Sequence, residues 1–219
     1  MTNPWKDGPD PDRTISYGDA LDQIIDFYDG DGPLVTLIHG GYWRPAHTRV
    51  HMRALAGKLA SKGFQVANIE YRREPGRPEV TINDVNLALS KVKNAIAIIG
   101  FSVGGQLALV SEHQIHKLIL LAPVTDLERT KNEGLGEDAV KKAFGDLPLD
   151  KYDPIKRDYR SHIYIIHGDS DDRVPIQHSR DFAKAKNISL MEISGADHFE
   201  MVDPESTVFQ LILNILRRN

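Results

Sequence analysis

The sequence predicts an α/β fold, a mostly parallel sheet covered by helices on both faces, and two features predict it. From Leu34 onward, short apolar runs alternate with helical stretches across Gly-containing turns. These runs are apolar throughout, as is typical of strands that are buried on both faces of a sheet. The 219 residues fit one domain, 1–219, whose core is large enough to need no disulfides.

The first half of the chain predicts three strands and three helices after an irregular lead-in over residues 1–13. The first strand ends at His39-Gly40-Gly41, and the helix after it places apolar side chains on one face before Gly63 closes it. The predicted strands are Leu34 to Ile38, Phe64 to Tyr71 and Ala95 to Ile99, and the predicted helices are Thr48 to Ser61, Asn83 to Asn94 and Ser102 to Ser111.

The second half predicts three strands and two helices around a long charged excursion. Asp203 is the predicted N-cap of the closing helix, with Pro204 at its first position. Residues 126–160, with a short helix near Glu137 to Phe144, are either a solvated crossover or a small lid above the strand ends. The predicted strands are Lys117 to Leu121, His162 to Ile166 and Ile188 to Ile193, and the other predicted helix is Gln177 to Ala185.

Composition is that of a soluble globular protein and argues against several classes of function. The chain is 41% hydrophobic and 26% charged, with net charge −4 and no long basic face, so we expect no nucleic-acid partner. The longest apolar runs are five residues, far short of the ~20 of a membrane span, so we expect no membrane partner. Residues 1–7 lack an apolar signal core, which favours a cytoplasmic location. The sequence has no cysteine, which excludes thiolate nucleophiles.

A serine stands in Gly100-Phe101-Ser102-Val103-Gly104-Gly105, between an apolar strand and a helix. Small residues around a sharp turn let the Ser102 hydroxyl stand clear of its own backbone, and the helix N-terminus behind it favours an anion. Gly-x-Ser-x-Gly can also be an ordinary flexible turn. Its strand–turn–helix context favours a nucleophile at Ser102.

His39-Gly40-Gly41-Tyr42-Trp43 follows the first strand and is a candidate oxyanion loop. Acyl transfer needs backbone N–H donors that already point at the developing negative charge, and glycine lets the backbone approach closely. We expect the donors to be the N–H groups of Gly41 and Val103, with Tyr42 as a third. The alternative is a Gly-Gly turn that leads into a helix.

A candidate base and candidate acids follow the last two strands. His198 lies in Gly195-Ala196-Asp197-His198-Phe199, and the preceding strand leads into a segment with three aspartates, Asp169, Asp171 and Asp172. Strand-end placement and the chain order Ser, Asp, His fit a catalytic triad. A surface loop histidine is the alternative for His198.

The other histidines give little support for a metal site or a cofactor. His47 and His51 stand four apart on a predicted helix, but no third ligand lies nearby and Thr48 stands where a His-Glu-x-x-His zinc protease has glutamate. His39 and His167 precede glycine at strand ends, where buried, hydrogen-bonded histidines are expected. No nucleotide-binding glycine motif is present, so we expect no cofactor and no metal.

Together these motifs resemble those of α/β-hydrolases, from about Ile15 to the last helix. His39-Gly40-Gly41-Tyr42-Trp43 followed by Arg44 resembles the His-Gly-Gly-x-Trp signature of the kynurenine formamidase (arylformamidase) and esterase group. Tyr17-Gly18, Glu70-Tyr71-Arg72 and Asp84 fit the same group. By this resemblance the triad acid is Asp171, the first aspartate of its pair. The short N-terminal region implies a minimal cap.

The resemblance implies a serine hydrolase that cleaves a small ester or formamide without a cofactor. Ser102, Asp171 and His198 would form the triad, and Tyr42 and Trp43 would wall an aromatic leaving group or pack in the core. The alternatives are a general short-chain carboxylesterase, a peptidase-like hydrolase, or a ligand-binding protein that kept a hydrolase fold. The sequence does not determine the oligomeric state.

Overall fold

Eight strands form one sheet in the computed structural model, which describes residues 5–113 and 115–218. Residues 1–4 lie outside the described residues. They belong to the predicted lead-in and to the segment 1–7 that lacks an apolar signal core. The strands are β1 (Arg13–Ser16), β2 (Ile24–Tyr28), β3 (Leu34–Ile38), β4 (Gln65–Ile69), β5 (Ala97–Phe101), β6 (Lys117–Leu121), β7 (His162–Gly168) and β8 (Ser189–Ile193).

Seven helices connect and cover these strands in the described part of the chain. None of them is long and apolar enough to cross a membrane. The helices are α1 (Arg53–Ala60), α2 (Pro78–Lys91), α3 (Val103–Val110), α4 (Leu127–Asn132), α5 (Leu135–Phe144), α6 (Gln177–Lys186) and α7 (Thr207–Leu216).

The sheet has the order β1-β2-β4-β3-β5-β6-β7-β8. Strand β2 pairs antiparallel with both β1 and β4, and strands β3 to β8 are all parallel to one another. Side chains of successive strand residues point to opposite faces. Leu37 of β3 therefore packs with α1 and α7 in one cluster, and Ile38 packs with α2, α3 and α6 in the other. The predicted fold, a mostly parallel sheet with helices on both faces, is confirmed.

Parallel pairing brings the carboxyl ends of the central strands to one edge of the sheet. Ile38 at the end of β3 pairs with Gly100 of β5, and Gly168 at the end of β7 pairs with Ile193 of β8. The segments that begin at residues 39, 102, 169 and 194 therefore leave the sheet on the same side. This edge is where parallel sheets bind ligands.

Several predicted boundaries differ from the structure. The helix predicted from Asn83 begins at Pro78, because proline suits the first turn and Glu79 lies beside the helix N-terminus. The closing helix has Ser206 as its N-cap, while Asp203 and Pro204 form the turn before it. The antiparallel strands β1 and β2, and helix α4, were not predicted.

Candidate active site

Ser102 occupies a strained turn between β5 and α3. Its backbone has φ 54° and ψ −118°, a conformation that costs a non-glycine residue about 1–3 kcal/mol. The neighbouring strand fixes the turn, because the Ser102 N–H donates to the Leu121 carbonyl at 2.8 Å and the Ser102 carbonyl accepts the Val124 N–H at 3.2 Å. The side chain is thereby presented at the carboxyl edge of the sheet.

Glycines around Ser102 allow backbones to approach more closely than a side chain would permit. A Cβ atom at Gly104 would lie 2.0 Å from the Ile38 carbonyl oxygen, and one at Gly40 would lie 2.8 Å from Ser102 Cβ. The first contact seats α3 against β3, and the second places residue 40 directly beside the serine. The Gly-x-Ser-x-Gly spacing therefore meets a packing requirement as well as a conformational one.

The segment 39–47, here called the β3 loop, presents backbone donors next to Ser102. The N–H groups of Gly41, Tyr42 and Val103 donate no hydrogen bond to any residue that the structure describes. Gly41, Tyr42 and Trp43 have φ values of 117°, 50° and 55°, so three successive residues occupy the left-handed half of backbone space. These unpaired N–H groups are suited to receive an oxyanion.

A buried carboxylate holds the start of the β3 loop. Glu70 accepts hydrogen bonds from His39 Nε2 at 2.9 Å and from the Arg49 backbone N–H at 2.9 Å, and it pairs with Arg73. His39 Nδ1 lies 2.7 Å from the Gly40 carbonyl oxygen, and its ring stacks on Tyr71 at 4.3 Å between centroids. Glu70 thus connects β4 to the backbone that precedes the candidate oxyanion donors.

The ionisation of Glu70 is itself favoured by this arrangement. Burial alone would raise the pKa of the carboxyl, but His39 and Arg73 outweigh burial and lower the pKa to about 2. The family resemblance includes Glu70 but implies no role for it. Arg73 lies 34 residues from His39 in the chain, so no local sequence pattern predicts that these two side chains meet.

Of the three aspartates after β7, Asp171 contacts the candidate base. Its Oδ2 accepts the His198 Nδ1–H at 2.6 Å, and its Oδ1 accepts the backbone N–H groups of Arg173 and Val174 at 2.8 Å each. Asp172 is exposed and pairs with the Arg173 side chain, and Asp169 is exposed and accepts the Gly195 N–H.

The carboxylate of Asp171 is held in its charged form. Burial would raise its pKa, but hydrogen bonds from His167 and His198 outweigh burial and keep the pKa well below its usual range. His167 was expected to be a buried, hydrogen-bonded histidine. It lies within hydrogen-bond distance of Asp171, a contact that its spacing of four residues before Asp171 could have suggested.

His198 also lies beside the nucleophile turn. Its ring is 4.7 Å from the ring of Phe101, the residue before Ser102. Within residues 5–113 and 115–218 the Ser102 hydroxyl has no hydrogen-bond partner. Catalytic hydrogen bonds are often long in ligand-free sites and tighten when a substrate binds. The structure thus pairs His198 with Asp171 and brings the segments that carry Ser102 and His198 into contact.

The two aromatic residues predicted for substrate contact have different surroundings. Trp43 is 7% exposed and packs edge-on against Phe144 at 5.2 Å between ring centroids, inside the core. The Tyr42 hydroxyl donates to the Arg173 carbonyl at 2.6 Å, and its ring lies against Gly136. The structure therefore places Trp43 in packing, and it leaves Tyr42 as the half-buried aromatic of this loop.

The excursion 126–160 packs over the β3 loop. Its helix α5 buries one face in the core and leaves its charged face exposed. Arg44 donates to the Gly136 carbonyl at 2.5 Å and pairs with Glu137 at 3.1 Å. Asp153 is fully buried and accepts the Leu127 N–H at 2.9 Å, which ties the two ends of the excursion together.

The remaining histidines do not assemble a metal site in the part of the chain described here. No group of three or more His, Cys, Asp or Glu side chains among those residues could hold an ion. The His47 and His51 rings lie 5.4 Å apart, and the His51 ring stacks on Trp5 at 4.1 Å. Burial lowers the pKa of His51 to about 4, and the neighbouring His47 contributes a smaller effect in the same direction.

We expect Glu70→Gln to lower the free energy of unfolding by about 3 kcal/mol at pH 7, because the carboxyl has a pKa of about 2 in the fold against an ordinary value of 4.5. This stabilisation is present above pH 4.5 and is lost as the pH falls through about 2, so the difference from wild type narrows across that window. Urea unfolding at several pH values measures it. Glu74→Gln, which removes a more exposed carboxylate, is the control, and equal losses in both variants would contradict the assignment.

The comparisons with known proteins agree with this architecture. The sequence model of the family described as BD-FAE matches residues 27–133, a range that includes the β3 loop and Ser102 and ends before Asp171 and His198. Esterase LipC of Mycobacterium tuberculosis (strain ATCC 25618 / H37Rv) is 22% identical, and the alignment covers 94% of this chain. The chain spans 66% of the length of that relative.

Two solved structures superpose on most of the chain. A protein described as a putative thioesterase from Silicibacter sp. TM1040 has a TM-score of 0.76 at 19% identity and covers 94% of this chain and 86% of its own. Esterase B from Lactobacillus rhamnosis, in a structure whose description names a tributyrin phosphonate, has a TM-score of 0.76 at 19% identity and covers 96% and 86%. With its mostly parallel eight-stranded sheet, and with the strained serine turn at its carboxyl edge, the chain has the α/β-hydrolase fold.

Proposed function

We propose that the protein is a serine hydrolase that cleaves small carboxylic esters through an acyl-enzyme. The observation that carries the proposal is the hydrogen bond from His198 to Asp171, formed beside a strained Ser102 turn and three unpaired backbone N–H groups. A ligand-binding protein has no need of an oriented base next to a strained serine. Similarity to Esterase LipC and Esterase B supports esters as the substrate class.

In this mechanism Ser102 attacks the acyl carbon and His198 takes its proton. Asp171 holds the ring with Nδ1 protonated, which leaves Nε2 as the base, and it stabilises the imidazolium that forms. The N–H groups of Gly41, Tyr42 and Val103 receive the negative charge on the carbonyl oxygen. His198 then donates its proton to the leaving group. In the second half, water attacks the acyl carbon while His198 takes its proton, and His198 returns a proton to Ser102 as the acid is released.

A formamide of an aromatic amine is the second candidate substrate, and the His39–Trp43 motif favours it. A stacked leaving group would need an exposed aromatic wall, whereas Trp43 is buried against Phe144. Tyr42 is left as the aromatic side chain of the motif beside the site. Assay of p-nitrophenyl acetate and butyrate beside N-formylkynurenine compares the two classes, and turnover of the formamide alone would overturn the ester assignment.

We expect Ser102→Ala to lower kcat by about 10⁶ while the fold is retained, because loss of the nucleophile of a comparable triad has that effect. An organophosphonate should add once to the wild-type protein. Intact mass and peptide mapping locate the adduct, and circular dichroism checks the fold. Ser170→Ala, which alters an exposed serine near the acid, serves as the control. Labelling that persists in the Ser102 variant would point to another nucleophile.

Asp171→Asn should reduce kcat by about 10⁴, because the amide favours the wrong tautomer of His198. Asp172→Asn provides the matched control, since it makes the same change one residue away on an exposed side chain that pairs with Arg173. Steady-state kinetics at pH 8 compare the two variants. A greater loss at Asp172 than at Asp171 would assign the acid to Asp172.

Trp43→Leu is expected to lower the free energy of unfolding by about 2 kcal/mol, since it removes buried ring atoms that pack on Phe144. The ratio of kcat/KM for aryl esters to kcat/KM for alkyl esters of matched reactivity should stay at the wild-type value, because uniform damage cancels in this ratio. If this ratio falls in a folded Trp43→Leu variant, the Trp43 ring contacts the leaving group after all.

A further inference from the structure

A second histidine contacts the candidate acid at the same carboxylate oxygen as His198. His167 lies near the end of β7 and is fully buried. Its Nε2 lies 3.1 Å from Asp171 Oδ2 and 2.9 Å from the Val174 carbonyl oxygen. The triad mechanism does not use this ring.

The neighbours of His167 determine where its proton is. A peptide carbonyl can only accept a hydrogen bond, so the contact with Val174 requires a hydrogen on Nε2. The other ring nitrogen, Nδ1, lies 2.7 Å from the Ser179 hydroxyl, which can donate to it. A neutral ring protonated on Nε2 therefore satisfies all of these contacts, and its N–H is shared between the Val174 carbonyl and Asp171.

This contact completes the set of donors around the acid. Oδ1 of Asp171 accepts two backbone N–H groups, and Oδ2 accepts His198 and lies within reach of His167. Oδ2 is thus the atom through which any change at His167 reaches His198. A donor on this oxygen draws negative charge away from the hydrogen bond to His198 and fixes the plane of the carboxylate.

We propose that His167 is a positioning residue that donates its Nε2–H to Asp171 Oδ2 and so sets how readily His198 accepts a proton. The inference rests on the proposed triad. His167 does not meet the substrate, and it acts through Asp171 alone. Ser179 on α6 supports it by holding the ring nitrogen on the other side.

Other charged groups face this cluster from the neighbouring elements, and most are engaged elsewhere. Glu192 of β8, the register partner of His167, pairs with Arg180, and both side chains are about two-fifths exposed. The groups on the loops are exposed Asp169, Asp172, Arg173 and Asp197, and Tyr42 contacts the Arg173 carbonyl. These groups are solvated or paired, whereas His167, Asp171 and His198 are buried and in contact with one another.

The first test needs neither a variant nor turnover. Nitrogen-15 spectra of the histidine rings in the wild-type protein at pH 7 report which nitrogen of each ring carries hydrogen. For His167 we expect a protonated Nε2 and an unprotonated Nδ1. The opposite tautomer would remove the donor from Asp171 and overturn the inference, whatever the activity of the protein.

The second test compares the acidic limb of the pH profile of kcat/KM between wild type and variants. This limb reports protonation of the base in the free enzyme. His167→Phe removes the donor, so more negative charge remains for His198 and the limb should move to higher pH by about 0.5. kcat should fall by about tenfold or more, because misplacement by 1 Å can cost about 10²-fold. His167→Gln keeps an N–H at similar reach and should return the limb toward the wild-type position.

The control is His178→Phe, the same change at a buried histidine of α6 that pairs with Glu133 and does not contact Asp171. Its acidic limb should stay at the wild-type pH. An unshifted limb in His167→Phe, or an equal shift in the His178 variant, would reject the positioning role. If Asp171→Asn also leaves kcat unchanged, the triad itself fails. A large loss in Asp171→Asn with no shift in His167→Phe rejects the further inference alone.

Discussion

Close approach of backbone to backbone around Ser102 is the constraint on which the rest of the site depends. The Gly104 backbone packs against the Ile38 carbonyl, and Gly40 packs against the serine Cβ, at distances that leave no room for a side chain. This contact joins β3, β5 and α3 into one unit. It puts the N-terminus of α3 and the unpaired N–H groups of the β3 loop on the same side as the serine hydroxyl. A wider turn would separate these features.

Buried charge then fixes the two loops that glycine packing leaves free. Glu70 anchors the β3 loop through His39, and Asp171 anchors the loop after β7 through two backbone N–H groups. In both cases burial opposes the charged form, and the surrounding donors outweigh burial. While buried, each carboxylate is stable as an anion because of the donors around it, so ionisation and loop conformation support one another.

Local signals in the sequence predicted much of this architecture. The alternation of apolar runs and helical stretches gave the parallel strands β3 to β8, and glycine beside a strand end marked both the serine turn and the β3 loop. The residues alone left three aspartates open as the acid, because their spacing does not reveal which carboxylate turns inward. The hydrogen bonds to Arg173 and Val174 make Asp171 the inward one.

Contacts between distant parts of the chain were beyond such signals. The role of Glu70 depends on partners that the fold brings together, whereas the contact of His167 with Asp171 spans only four residues. The sequence left Trp43 open between the substrate wall and the core, because its neighbours do not indicate the contact with Phe144, about a hundred residues later. The strands β1 and β2 were missed because they precede the first long apolar run, and as an antiparallel pair they do not follow the strand–helix rhythm.

The distance along the chain between the contacting segments has a consequence for folding. The Tyr42 hydroxyl meets the Arg173 carbonyl across 131 residues, and the β3 loop, the serine turn and the His198–Asp171 pair come from four separate strand ends. Closing such long loops is slow, because chain entropy is lost before the contacts form. Local helices and the central strands can therefore assemble while the site is still incomplete. Activity would be among the last properties to appear during refolding and among the first to disappear when an edge of the sheet opens.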